Sequence, residues 1–294
     1  MLDARMLDVA GVPTRVFAAP GTGAPLVFAQ GGVPGVTPWV SGAHAWRDLP
    51  ARFARDHAVR VIELPGSGAT GLPAGALTVD ALVDHLAAAL ATLGTGPAHL
   101  VAHDLAGLLA LHVALRAPHL VRAVTVVASS AAAPSGDGVA NLTFAHPPAP
   151  PWSRRAQRWA LERIVYAHQA VDAALVDACV QAAEGAPHRM AAQRMAAGEH
   201  ERCFAPSLLR AKARLFAALR DAGIRVPVQV VWGSHDPLAS FDQGLWLFRA
   251  VAARQRATQF HVVNRAGALP FREDPDAFHQ VVAAFAAGLA AEGA

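Results

Sequence analysis

The chain has 294 residues, 53% of them hydrophobic, and a formal net charge of +3. That length and apolar content suit one large α/β domain with an insertion and exclude a disordered chain. The basic residues are arginines scattered along the sequence, with Lys212 the only lysine, so no run is long enough to track phosphates and nucleic-acid binding is not expected. Cys179 and Cys203 lie far apart without metal-ligand spacing, which fits free thiols in a reducing compartment. The opening MLDARMLDVAGV lacks the basic and apolar regions of a signal peptide, and the longest apolar runs are broken by charge or glycine. A cytoplasmic protein is expected, with a small-molecule substrate, no membrane contact, no metal and no cofactor. A homodimer stays open.

Residues 5–18 read as two short strands around a Gly11-Val12-Pro13 turn. Ala24 to Ala29 is a buried strand that ends in the loop Gln30-Gly31-Gly32-Val33-Pro34-Gly35-Val36, where glycine lets backbone N–H groups approach a ligand. Trp46 to Ala54 reads as helix and Val59 to Leu64 as the next strand. Thr78 caps a helix whose leucines at 82, 86, 90 and 93 form one apolar face.

The stretch His99 to Gly107 follows. An apolar β-run meets small residues at Ala102 and Ala106, and Asp104 stands between them. Small-x-X-x-small between a strand and a helix is the spacing of a nucleophile elbow, whose central side chain is thrust out above the sheet. A carboxylate nucleophile is one reading; a simple helix cap is the other, since Asp is a good N-cap.

Val121 to Ala128 is a continuous apolar strand, as in a parallel sheet covered on both faces. The alternation of strands and helices then stops. Residues 135–205 contain a proline cluster at 147–151 and then mostly helical pattern with Trp152, Trp159, Tyr166 and Met190. They read as an inserted helical cap whose aromatic and Met residues mostly pack its own helices, with pocket lining as the alternative role. Alternation resumes with Val226 to Trp232, followed by Gly233-Ser234-His235-Asp236. A last strand runs from Gln259 to Val263, and a closing helix from about Asp276. The expected architecture is a doubly wound, mostly parallel sheet: core residues 1–134 and 206–294, with 135–205 lying over the strand C-termini.

Taken together, the Gly32 loop, the Asp104 turn, the Asp236 loop and the run from Gly267 to Pro275 resemble the α/β-hydrolase superfamily. Within it the similarity is to the meta-cleavage-product C–C hydrolases. Their first loop reads roughly His-Gly-Ser-Gly-Pro-Gly-Val where this chain has Gln30 to Val36, and Trp232 to Asp236 is similar to their acid loop. The resemblance implies an oxyanion hole from the Gly32 and Leu105 N–H groups and Asp236 as the triad acid; from the residues themselves, a candidate substrate pocket involves Gln30, Val33, Trp152, Trp159 and Tyr166.

The chain departs from that pattern twice. Asp104 stands where those enzymes carry Ser, as in haloalkane dehalogenases, fluoroacetate dehalogenases and many epoxide hydrolases. Ala268 stands where the family has its catalytic His, in the register fixed by Pro270, Glu273, Asp274 and Pro275. A carboxylate needs no base to attack carbon. Release of the resulting ester does need one, and losing a general base slows such steps by about 10²–10⁴-fold. His235, beside Asp236, and His261, in the last strand, are the candidate substitutes, with a structural or solvated role as the ordinary reading of both. One tyrosine, Tyr166, is too few for the paired-tyrosine epoxide mechanism, and Leu105 replaces the Trp that would hold a halide. Asp104, Asp236 and residue 268 are expected to meet at one cavity. The expectation is a hydrolase acting on a small, largely apolar molecule with Asp104 as nucleophile. A non-hydrolytic enzyme that uses Asp104 for proton transfer, or a ligand-binding protein, remains open.

Overall fold

The computed structural model describes residues 2–134 and 146–291. Eight strands form one sheet in the order β1-β2-β4-β3-β5-β6-β7-β8. They are β1 (Asp3–Val9), β2 (Val12–Ala19), β3 (Leu26–Gly31), β4 (Val59–Glu63), β5 (Ala98–Asp104), β6 (Val121–Val127), β7 (Val228–Gly233) and β8 (Thr258–Val263). The pairs β1–β2 and β2–β4 are antiparallel and the rest parallel. The strands β3, β5 and β7 are buried at every position, because apolar side chains on both faces meet helices.

The first hairpin turns at Ala10-Gly11, not at Gly11-Val12-Pro13 as the sequence reading had it. Ala10 (φ 50) and Gly11 (φ 82) are both left-handed, as a two-residue turn between twisted strands requires, and Val12 and Pro13 already belong to β2. The expected helix from Trp46 to Ala54 is two pieces. A 3₁₀ turn over Ala43–Trp46 breaks at Arg47 (φ 52), and α1 (Leu49–Phe53) follows.

Helices α2 (Val79–Leu93), α3 (Leu105–Arg116), α8 (Phe241–Ala252) and α10 (Pro275–Ala291) flank the sheet, and a short α9 spans Pro270–Glu273. Thr78 caps α2 by accepting the Ala81 N–H at 3.1 Å, and Gly94 ends it in the left-handed region (φ 61). Between β6 and β7 lie α4 (Arg154–Glu162), α5 (Ala173–Glu184), α6 (Ala186–Arg194), a π-helical stretch over Met195–Phe204 kinked at Gly198, and α7 (Ala205–Asp221). The part of the expected cap at 135–145 lies outside the described residues.

These inserted helices are fastened to loops that leave the C-terminal ends of strands. Gln157, fully buried, accepts the Val40 N–H and donates to the Pro38 carbonyl, both at 2.9 Å. On the other side, Glu273 accepts N–H groups of Tyr166 (2.6 Å), Ala167 (3.1 Å) and Gly267 (2.7 Å). The buried guanidinium of Arg272 bridges the Ala45 carbonyl and Asp172. Burying Gln157 is tolerable because both of its amide atoms find partners; Arg272 pairs its two terminal nitrogens, while its Nε has no partner among the described residues.

Gly35 (φ 68) brings the β3 loop against α6, where an added Cβ would stand 2.3 Å from the Ala192 nitrogen. Both the backbone conformation and the space exclude a side chain. Gly35→Ala is therefore expected to lower stability by about 1–3 kcal/mol, read from a urea unfolding midpoint. An unchanged midpoint would show that the loop and α6 do not touch.

Candidate active site

Strand β5 ends at Asp104 and α3 begins one residue later. Asp104 has φ 52 and ψ −125, a conformation that costs a non-glycine residue about 1–3 kcal/mol. Its surroundings hold it there. The Ser129 hydroxyl donates to the Asp104 carbonyl, and the Ala132 N–H in turn donates to that hydroxyl at 3.1 Å. Gly107 admits this contact, since a Cβ there would lie 2.8 Å from the Ser129 Cβ. The Asp104 side chain does not cap α3. Instead its Oδ1 accepts a hydrogen bond from the Ser130 hydroxyl at 3.1 Å.

A cavity of about 290 Å³ opens at this carboxyl, with Asp104, Leu105, Val33, Ser130, Lys212 and Leu238 in its wall. Gly32 lines a small neighbouring groove with His188. Its N–H already donates to the Ser41 hydroxyl at 3.3 Å, and the Val33 N–H to the Thr37 hydroxyl at 2.8 Å. The first loop thus spends its backbone donors on its own side chains. Gln30 is buried behind it, its Oε1 without a partner among the described residues.

The three aromatic residues expected at the pocket do not line this cavity. The Trp152 indole donates to the Thr37 carbonyl at 3.2 Å, the Arg163 guanidinium covers Trp159 at 4.2 Å, and Tyr166 packs against the His235 ring at 4.6 Å. Trp152 and Trp159 pack against the core beneath the inserted helices, and Tyr166 stays exposed. A larger hollow of about 400 Å³ contains Arg15, His44 and Glu63. Its carboxylate is saturated: Glu63 takes both Arg15 nitrogens (2.7 and 2.8 Å) and the Ala69 N–H (2.9 Å). That pairing is structural, so the smaller cavity is the better candidate.

Asp236 follows β7 and is buried. Its Oδ1 accepts the Leu238 and Ala239 N–H groups at 2.8 and 3.3 Å, while Oδ2 has no partner among the described residues. Burial pushes its carboxyl up to about 8; the two backbone donors oppose this, and the charges of Asp104 and Glu273 add to it. Burial likewise pushes Asp104 up to about 7, against the pull of the Ser130 hydroxyl and the Leu105 N–H. Acids that feel each other release their protons in coupled steps.

Ala268 is fully buried, and its main chain is pinned on both sides. Its N–H donates to the Ile164 carbonyl at 2.7 Å, and its carbonyl accepts from His103 Nε2 at 2.8 Å. Burial pulls His103 down to about 4, so the ring is neutral at pH 7 and Nε2 carries the donated proton. Its task is to hold the loop. His235 is exposed and bonded to Ser234, and His261 is bonded to Gln259, so neither histidine lines the cavity. Among the described residues no group of three or more His, Cys, Asp or Glu could hold a metal, and no helix is long and apolar enough to cross a membrane.

Ser130 and Lys212 are the site residues that sequence reading missed. Ser130 lies just beyond the end of β6, at the strand edge where such sites form. Lys212 carried one signal, its being the only lysine in the chain.

The alpha/beta hydrolase family profile matches residues 16–281. A 2-hydroxy-6-oxo-2,4-heptadienoate hydrolase of Pseudomonas putida is 33% identical over 124 residues, 42% of this chain and 43% of the relative. A 2-hydroxymuconate semialdehyde hydrolase of a Pseudomonas species is 32% identical over 127 residues, 43% of each chain. The matches thus span less than half of these relatives' length. Among solved structures, a meta-cleavage product hydrolase from Pseudomonas fluorescens superposes with a TM-score of 0.77, at 22% identity and 96% coverage of both chains. A 2-hydroxy-6-oxo-6-phenylhexa-2,4-dienoate hydrolase from Rhodococcus gives 0.76 at 16% identity, covering 97% of this chain and 98% of that one. With the profile running across nearly all of the sheet and its inserted helices, the chain belongs to the alpha/beta hydrolase family.

Proposed function

We propose that this chain is a hydrolase of small, largely apolar organic molecules in which Asp104 works as the proton carrier. The supporting observation is a buried carboxyl, raised to about 7, in the wall of a cavity that no histidine lines. A group titrating near the working pH is the best general acid and base. In its charged form Asp104 takes a proton from water, and the water oxygen attacks the carbonyl carbon of the substrate. The carboxyl then hands that proton to the leaving group. The helices between 154 and 204 serve as the lid that keeps other water out. The names of the relatives support carbonyl compounds as the first substrates to try.

The strained turn favours a second reading, because φ 52 at Asp104 suits a nucleophile presented to substrate. There Asp104 forms an ester with an alkyl halide or activated ester, and Ala268 supplies no base to release it. The two readings differ in mass. Proton transfer leaves the protein unmodified during turnover, whereas the covalent route leaves a stable adduct that Asp104→Asn abolishes and Ala268→His clears. We expect turnover of carbonyl substrates without an adduct. Its kcat/KM should break near pH 7, and Asp104→Asn should lose about 10²–10⁴-fold. An Asp104 adduct across the panel would replace this reading with the covalent one. Ligand binding without turnover would leave a binding protein.

The same carboxyl sets a pH dependence of stability. Asp104 titrates near 3.8 when unfolded and near 7 when folded, so between those values the folded state holds a proton that the unfolded state releases. The stability this contributes is present at low pH and is lost as pH rises through that window. Asp104→Asn removes the titration. The variant should gain stability relative to the parent as pH rises from about 4 to about 8, read from unfolding midpoints. A difference that does not change with pH would contradict the raised value.

A further inference from the structure

We propose that Lys212 and Asp104 form an amine–carboxyl pair that condenses with small apolar aldehydes or ketones, giving an imine on Lys212 inside the cavity. The two groups share one wall of the same hollow, and the side chains around them are largely apolar, with Val33, Leu105, Leu208 and Leu238 among them. Ser130 ties them together. Its hydroxyl donates to Asp104 Oδ1 at 3.1 Å, and its carbonyl accepts from Lys212 Nζ at 3.3 Å. That carbonyl is a neutral acceptor, and among the described residues Lys212 has no ion pair. Nothing described therefore holds its positive charge, and burial lowers its proton affinity. Lys212 is half-buried, and an amine partly withdrawn from water without a counter-ion is the ordinary way to make a lysine nucleophilic.

The chemistry balances with these two groups alone. The free pair on Nζ attacks the carbonyl carbon, the C–N bond forms, and the carbonyl π pair moves to oxygen. Asp104 relays a proton from nitrogen to that oxygen and gives the carbinolamine. It then protonates the hydroxyl, which leaves as water while the nitrogen pair closes the C=N bond. The last N–H proton returns to Asp104. The sum is amine plus carbonyl giving imine plus water, with Asp104 ending as it began and no oxidant or reductant consumed. A carboxyl near half-protonation at pH 7 can perform both directions of that relay. This inference uses the Asp104 proton invoked above, but it is read from a covalent bond to nitrogen and not from hydrolysis.

Because Lys212 is the chain's only lysine, the N-terminal amine is the one other aliphatic amine, and it serves as an internal control. The full-length protein is incubated with isobutyraldehyde and sodium cyanoborohydride near neutral pH. The reduced adduct is followed by intact mass and assigned by peptide mapping. We expect Lys212 to be labelled at least about tenfold faster in the folded protein than in the same chain unfolded in urea, because burial frees the amine and the neighbouring carboxyl supplies the acid. Lys212→Arg, which keeps the charge but offers no free amine, should lose this adduct and keep the N-terminal one. Asp104→Asn should slow trapping about tenfold or more through loss of the acid. Labelling of Lys212 no faster in the folded chain than in the unfolded one overturns the proposal. Hydrolysis that persists in Lys212→Arg, together with no trapping at Lys212 in the unaltered protein, would remove this inference and leave the proposed function standing.

Discussion

A carboxyl buried without a cation is held at the end of β5, and much of the site's chemistry depends on that constraint. Asp104 is 8% exposed, in a backbone conformation that only its surroundings stabilise. Removing a carboxylate from water is expensive, so the group keeps its proton to an unusually high pH. The arginines that could have paired with it are elsewhere. Arg15 is spent on Glu63, and Arg272 on Ala45 and Asp172. Lys212 shares the cavity but bonds the Ser130 main chain. Among the described residues the cavity is therefore short of paired charge and has a largely apolar wall, a setting in which a single proton has large leverage.

The resemblance places a catalytic histidine at position 268, where this chain has Ala268. Its main chain is clamped between the Ile164 carbonyl and the His103 ring. Those bonds stitch the loop after β8 both to the inserted helices and to β5. Asp236 keeps two backbone donors on one oxygen and leaves the other without a described partner. A neutral acid tolerates that better than a carboxylate does, which agrees with its raised affinity for a proton. Where the resemblance expects a triad acid, Asp236 thus has no histidine bonded to it among the described residues.

The parts of this fold that are legible in the sequence are those fixed by local pattern. Leu26 to Ala29 and Val121 to Val127 announce buried parallel strands because both faces must be apolar. Asp104 is legible because a tight strand-to-helix turn demands small neighbours at Ala102 and Ala106. The Ala10-Gly11 hairpin was misplaced by one residue, since a left-handed Ala10 leaves no mark of its own. The cavity wall was harder to read. Trp152, Trp159 and Tyr166 have the composition of a pocket, yet their rings meet Thr37, Arg163 and His235. Ser130 and Lys212 reach Asp104's cavity from separate elements, and no spacing along the chain records that they meet.

The central claim is that Asp104 holds a proton near neutral pH, and its own titration tests this most directly. The side-chain carboxyl carbon can be followed by ¹³C NMR from pH 3 to pH 9 and assigned by its disappearance in Asp104→Asn. An apparent midpoint near 7 is the expected result. A midpoint near the ordinary value of 3.8 would contradict the account, because Asp104 would then be a plain carboxylate throughout the working range.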